Sequence, residues 1–191
     1  MIPRLVVASK NPDKISEIEE ILRSLSLTDE IVRGLDWPDI EETGRTLKEN
    51  ALIKARAVVE FTGLPVVADD TGLEVDALGG GPGVNTARYA GPGASYEDNV
   101  VRLLASMEGV EDRTARFRAV VALVMPDGVE VTAEGSVEGV ITKERRGGGG
   151  FGYDPVFEVD GQTLAEMPAE DKNALSHRAR ALRALAASLG L

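Results

Sequence analysis

The run Val66-Val67-Ala68 is apolar and β-branched enough to read as a buried strand, yet it ends on two adjacent carboxylates, Asp69 and Asp70, followed by Thr71-Gly72-Leu73. Neighbouring side chains of a strand point to opposite faces, so these acids cannot share one job, and the apolar run behind them draws at least one toward the interior. An acid held there meets a metal, a helix end or a substrate. A solvated turn is the competing reading, since Asp and Gly both favour turns. The segment that follows, Leu78-Gly79-Gly80-Gly81-Pro82-Gly83-Val84-Asn85-Thr86-Ala87-Arg88-Tyr89-Ala90-Gly91, is too long for a simple surface turn, and long ordered loops are often functional.

A chain of 191 residues holds one sizeable core, or one domain made of two lobes, and it reads as a single domain over residues 1–191. No apolar stretch approaches the roughly 20 residues that a membrane span needs, so a membrane is not an expected partner. Met1 to Ser9 has too short an apolar run for a signal sequence and leads straight into a helix signal, which makes it a first strand and the expected location the cytoplasm. The absence of cysteine excludes disulfides, thiolate metal sites and cysteine nucleophiles, and a single histidine excludes a His-rich metal site. Any metal must be held by oxygen. A formal charge of −11 argues against binding nucleic acid backbones. It leaves room for a small phosphorylated ligand, because distant charges are screened beyond about 8 Å at physiological salt.

After the first strand, Asn11-Pro12-Asp13 supplies a helix cap, a first-turn proline and an acid at the positive helix end, and Ile15, Ile18, Leu22 and Leu25 follow at helical spacing. Thr46 and Glu49 form a capping box for a second helix that runs through Leu47, Ala51, Ala55 and Val58 to Gly63. A third begins near Ser95 and stops at Gly109. Arg116 to Met125 and Val129 to Ala133 read as a hairpin about Pro126-Asp127-Gly128, with further strands at Val137 to Thr142 and Pro155 to Val159. Ser176 caps a last helix ending at Gly190. The expected fold is mixed α/β: a central sheet with flanking helices and two lobes around a nucleotide-binding cleft.

Four segments bring unusual chemistry to element ends. Ser9-Lys10-Asn11-Pro12-Asp13-Lys14 is a strand-to-helix turn whose backbone N–H groups, helix dipole and lysines suit a phosphate chain, although lysines beside a helix start are often merely solvated. Glu41-Glu42-Thr43-Gly44 precedes Asn50 and Lys54, which lie one turn apart on one helix face; this is either a wet surface or, with Asp69 and Asp70, a source of the oxygen ligands Mg²⁺ prefers. The glycines at 147 to 150 and at 152 let the backbone of Phe151-Gly152-Tyr153-Asp154 lie close to a ligand, with an aromatic face for a base. A flexible hairpin is the alternative, and core burial suits Tyr153 and Phe157 better than Phe151. Lys172-Asn173-Ala174-Leu175-Ser176-His177-Arg178 puts the histidine and an arginine in the first turn of the last helix, where cations oppose the dipole; a polar or anionic ligand would account for that placement.

Ala8 to Lys14, Ala68 to Leu78, Pro82-Gly83-Val84, Ala87 to Gly91, Phe151 to Pro155 and Lys172 to Arg178 closely resemble, in the same order, the motifs of the inosine triphosphate pyrophosphatase family. The departures are Thr71, where many members have serine, and Gly148, often threonine. The resemblance implies a Mg²⁺-dependent enzyme, usually a homodimer, that converts non-standard purine nucleoside triphosphates to monophosphate and pyrophosphate. It implies that Ser9, Lys10, Asn11, Pro12, Asp13 and Lys14 hold phosphates with help from Lys54. It makes Asp70 the catalytic base and, with Glu42, a metal ligand. Thr71, Phe151, Gly152, Tyr153, Asp154, Lys172, His177 and Arg178 complete the substrate set, with Arg178 reading the 6-oxo group of the base. A pyrophosphatase of other base preference and a nucleotide-sensing module are the alternatives, and a substrate panel separates them.

Overall fold

The computed structural model describes residues 1–190. Its elements are β1 (Ile2–Val7), α1 (Pro12–Ser24), β2 (Thr28–Val32), α2 (Leu47–Thr62), β3 (Val66–Val75), β4 (Gly81–Gly83), α3 (Tyr96–Ser106), β5 (Thr114–Val124), β6 (Glu130–Ile141), β7 (Phe157–Val159), β8 (Gln162–Thr163), α4 (Ala169–Leu175) and α5 (His177–Ser188). The strands form one mixed sheet in the order β2-β1-β3-β5-β6-β7-β8, with β4 paired to β3. β1 is parallel to both β2 and β3, whereas β4 runs against β3 and β7 against β6.

The chain divides into two compact units, and β3, β5 and β6 each pass from one to the other. The first comprises residues 1–70, 119–135 and 177–191. Its core is Leu5 and Val7 of β1, Ile18 and Leu22 of α1, Val67 of β3, Val121 and Leu123 of β5, and Leu182 and Leu185 of α5. The second comprises residues 71–118 and 136–176, with Leu73, Val75, Leu103, Phe117, Val137, Tyr153 and Phe157 at its centre. Both cores follow from periodicity: the strands contribute alternate residues, and α1 contributes positions spaced by three and four.

The capping signals are realised. Asn11 Oδ1 accepts from the backbone N–H groups of Asp13 and Lys14, and Thr46 and Glu49 close their box before α2. Three expectations are corrected. The strand does not stop at the two acids but continues through Val75, so Asp69 and Asp70 lie mid-strand and are not in a solvated turn. Val129 to Ala133 and Val137 to Thr142 are parts of one strand, β6. Asp154–Val156 is a single 3₁₀ turn, so β7 begins only at Phe157. His177 and Arg178 open α5 as expected, and Lys172 before them lies in a short helix, α4, that was not anticipated. β2, with no buried position among its five residues, gave no apolar run to read.

Gly135, which lies between the two runs expected as separate strands, marks a close approach. A Cβ there would collide with the His177 carbonyl and the Ala181 N–H of α5 and lie 2.8 Å from Arg180 Cβ. Gly135→Ala should therefore push α5 off β6 and destabilise the protein by about 1–3 kcal/mol, the range of core overpacking, read as a lower urea midpoint with unchanged slope. An unchanged midpoint would show that the approach is slack.

Candidate active site

β3 places Asp69 and Asp70 on opposite faces, and each face answers its acid differently. Asp69 is 1% exposed. Its Oδ2 accepts from Arg178 Nε at 3.1 Å and pairs with Lys14 Nζ at 3.4 Å. Burial alone would raise this carboxyl, but Lys14, Arg178 and Lys54 outweigh it and hold the group well below the ordinary carboxylate range. Glu17, one helical turn after Asp13 on α1 and itself buried, accepts from Arg178 Nη1. Arg178 thus joins α1 to β3 from the start of α5. The sequence argument that a cation at this helix start needs a ligand anion is corrected: Glu17 and Asp69 supply the negative charge from within the protein.

On the other face Asp70 Oδ2 accepts from Asn50 Nδ2 at 3.1 Å, and Oδ1 lies 3.4 Å from Lys54 Nζ. Lys54 also pairs with Glu42 Oε1 at 3.0 Å, so two carboxylates converge on one ammonium. Burial raises the Asp70 carboxyl; Lys54 and Lys14 oppose it, and the negative charge of Glu42 adds to it. Lys54 is held above its ordinary value, because Asp70, Asp69 and Glu42 together outweigh its burial. Lys14 goes the other way, with burial outweighing Asp69. The helical spacing that put Asn50 and Lys54 on one face therefore delivers both to Asp70.

Glu42 and Asp70 are the residues here that could hold a divalent cation. The donors are carboxylate oxygens, and a positive group already bridges them. Among the described residues no three acidic or histidine side chains gather into an all-protein cage. Glu42 and Asp70 are the two carboxylates that could hold Mg²⁺, an ion commonly bound by one or two carboxylates with phosphate oxygens and water.

Ser9 to Lys14 lead from β1 into α1, the turn the sequence predicts, and several of their side chains have structural work. Ser9 Oγ accepts from Asn11 N–H at 3.2 Å, Asn11 caps α1, Pro12 occupies the first turn and Asp13 is exposed. Lys10 pairs with Asp39 on the surface, leaving Lys14 as the lysine of this segment directed to Asp69. His177 is buried beside Arg178.

The second unit carries its own polar group. Asp154 Oδ2 accepts from the Phe151 N–H and from Lys172 Nζ, both at 2.8 Å, and the Lys172 ammonium lies 4.6 Å from the centre of the Phe151 ring. All three of these residues were candidates from sequence, and the structure brings them together. Gly152 has a positive φ of 63° in this loop. Tyr153 is a core residue instead, its hydroxyl donating to the Thr86 carbonyl at 2.9 Å, as core burial suggested. Thr71 follows Asp70 on β3 and is half-buried. Sequence reasoning passed over Glu17, which lies off the stripe of Ile15, Ile18, Leu22 and Leu25 and is buried by Arg178 from α5.

Arg178→Met should leave Glu17 and Asp69 short of a partner and destabilise the protein at pH 7 by about 3–5 kcal/mol. Asp69 has a folded value below its unfolded one, so its contribution is full above about pH 4 and fades as pH falls further. The gap between wild type and Arg178→Met in urea unfolding should accordingly narrow from pH 7 to pH 3. A gap that is absent at pH 7, or that widens in acid, would contradict this network.

Residues 5–188 match the Ham1 family. A dITP/XTP pyrophosphatase from Methylococcus capsulatus is 52% identical over 192 residues, covering 97% of this chain and 96% of the relative. One from Geobacter sulfurreducens is 51% identical, covering 98% and 96%. Among solved structures, the Ham1 protein of Staphylococcus aureus gives a TM-score of 0.85 at 38% identity over 98% of each chain. The HAM1 protein of Coxiella burnetii gives 0.85 at 41% identity over 99% of each. The mixed sheet with flanking helices is thus the fold of these proteins, and the chain belongs to the Ham1 family.

Proposed function

We propose that this protein hydrolyses dITP, ITP and XTP to the nucleoside monophosphate and pyrophosphate, removing non-standard purines from the nucleotide pool. One observation carries the reading: Glu42 and Asp70 converge on Lys54 beside Lys14, an arrangement suited to a triphosphate and a divalent cation. The relatives at 52% and 51% identity, both dITP/XTP pyrophosphatases, support the substrate class.

In this proposal Ser9 to Lys14 receive the phosphates, with the positive end of the α1 dipole and the charge of Lys14 offsetting theirs. Glu42 and Asp70 would hold Mg²⁺, which neutralises phosphate charge and makes the phosphorus easier to attack. Asp70 takes the proton of the attacking water. Burial raises its carboxyl, whereas a cation held beside it would keep it ionised and able to accept a proton. Lys54 balances the charge that remains on the two acids.

Phe151 offers a face to the base, and Asp154 fixes the Lys172 ammonium beside that face. His177 and Arg178 complete the proposed substrate set with Thr71, Arg178 with its guanidinium held by Asp69 and Glu17. Hypoxanthine and xanthine carry an acceptor oxygen at position 6, where adenine carries an amino donor. A fixed cationic donor therefore favours the former and leaves an unpaired clash with the latter. The protein is expected to act as a homodimer in the cytoplasm.

The test is product analysis over dITP, ITP, XTP, GTP and ATP with and without Mg²⁺, sedimentation of the same sample reporting its mass. Monophosphate plus pyrophosphate should form, with Mg²⁺ required and dITP, ITP and XTP preferred to ATP. Diphosphate plus orthophosphate would reject the reaction, equal turnover of ATP would reject the base preference, and no turnover would favour a binding module.

A further inference from the structure

Building on that reading, we propose that Asn50, seated against Gly44, is a positioning residue that sets the spacing of Glu42 and Asp70. Asn50 is fully buried on the stripe of α2 that otherwise holds Leu47, Ala51, Ala55 and Val58. An amide in such a place is unfavourable unless both its ends are bonded. Both are: Oδ1 accepts from the Gly44 N–H at 2.8 Å, and Nδ2 donates to Asp70 Oδ2 at 3.1 Å. Turning the amide over would set its oxygen against the carboxylate and its NH₂ against the N–H, so only one orientation satisfies both partners.

The consequence falls on Glu42. Its segment, residues 35–44, has no helix or strand to fix it. The bond from Gly44 to Asn50 anchors that segment two residues after Glu42. Lys54, one turn further along α2, takes Glu42 Oε1 and Asp70 Oδ1. One helix face therefore grips both oxygens of Asp70 and the loop that carries Glu42.

Glycine at 44 is what lets the loop reach the helix. A Cβ there would lie 2.5 Å from Asn50 Oδ1, 2.7 Å from Glu49 Cβ and 2.9 Å from the Asn50 nitrogen. Asn50 also suits the task by being neutral. A second lysine or arginine at this point would add to the charge of Lys54 on the same acids, whereas an amide orients Asp70 and leaves its charge unchanged.

The experiment compares wild type, Gly44→Ala and Asn50→Leu in three measurements. These are Mn²⁺ titration of the substrate-free protein followed by the free-ion EPR signal, kcat and KM for dITP with Mg²⁺, and thermal midpoint. Both variants should bind Mn²⁺ about 10- to 100-fold more weakly, the usual loss when a group behind a metal ligand is removed, and should lose kcat more than KM. Folded variants with wild-type Mn²⁺ affinity and kcat would overturn the proposal. If Asn50→Leu does not fold, Gly44→Ala decides alone, since its change lies in the loop. A wild type that binds Mn²⁺ but releases no pyrophosphate from dITP would refute the functional reading, while the Mn²⁺ arm still judges the positioning. A wild type that binds no Mn²⁺ without nucleotide overturns the positioning, while pyrophosphate release from dITP still judges the functional reading.

Discussion

The alternation of side chains along β3 is the constraint on which the rest depends. Two consecutive acids, both buried, can be tolerated only if each face of the strand supplies its own compensation. On one face Lys14 and Arg178 over-compensate and Asp69 is locked as an anion. On the other, Lys54 is shared between Asp70 and Glu42, so burial prevails and the Asp70 carboxyl rises. The same residue type one position apart is thereby given opposite proton affinities. The first arrangement suits holding elements together, and the second suits exchanging a proton or meeting a cation.

Close approach of backbone is the second theme, and glycine permits it where the polar groups require it. Gly135 lets β6 run beneath the start of α5, which carries His177 and Arg178. Gly44 lets a loop rest on Asn50. Gly150, with a φ of +69°, lies where a Cβ would strike Asp154, whose Cγ would be 2.8 Å away. Each of these three glycines adjoins a residue of the candidate site, so the glycine-rich composition serves the placement of polar side chains more than chain flexibility.

Much of this was legible in the sequence because the signals were local. The caps at Asn11 and Thr46, the helical stripes of α1 and α2 and the opposite facing of Asp69 and Asp70 each follow from spacing alone. So did the pairing of Asn50 with Lys54. Local signals failed where a distant partner changed the meaning of a residue. Nothing local shows that Gly135 accommodates α5, which lies far along the chain. The two acids looked like a possible turn because Lys14, Lys54 and Arg178, which neutralise them, come from three other elements. Arg178 looked short of an anion for the same reason, with Glu17 on α1 and Asp69 on β3 as its partners. Helix α4 escaped notice because it is only seven residues long and has no side-chain cap.

The central claim is that the two acids divide their work, Asp69 holding the structure and Asp70 serving the chemistry. The most direct measurement places Asp69→Asn and Asp70→Asn side by side, with urea unfolding and dITP turnover on the same preparations. Asp70→Asn should keep wild-type stability or gain slightly, because a neutral amide is easier to bury, and should lose turnover by about 10²- to 10⁴-fold. Asp69→Asn should lose about 3–5 kcal/mol of stability, since Lys14 and Arg178 are left with an uncharged partner. The account is contradicted if Asp70→Asn unfolds more easily while retaining turnover, or if Asp69→Asn is as stable as wild type.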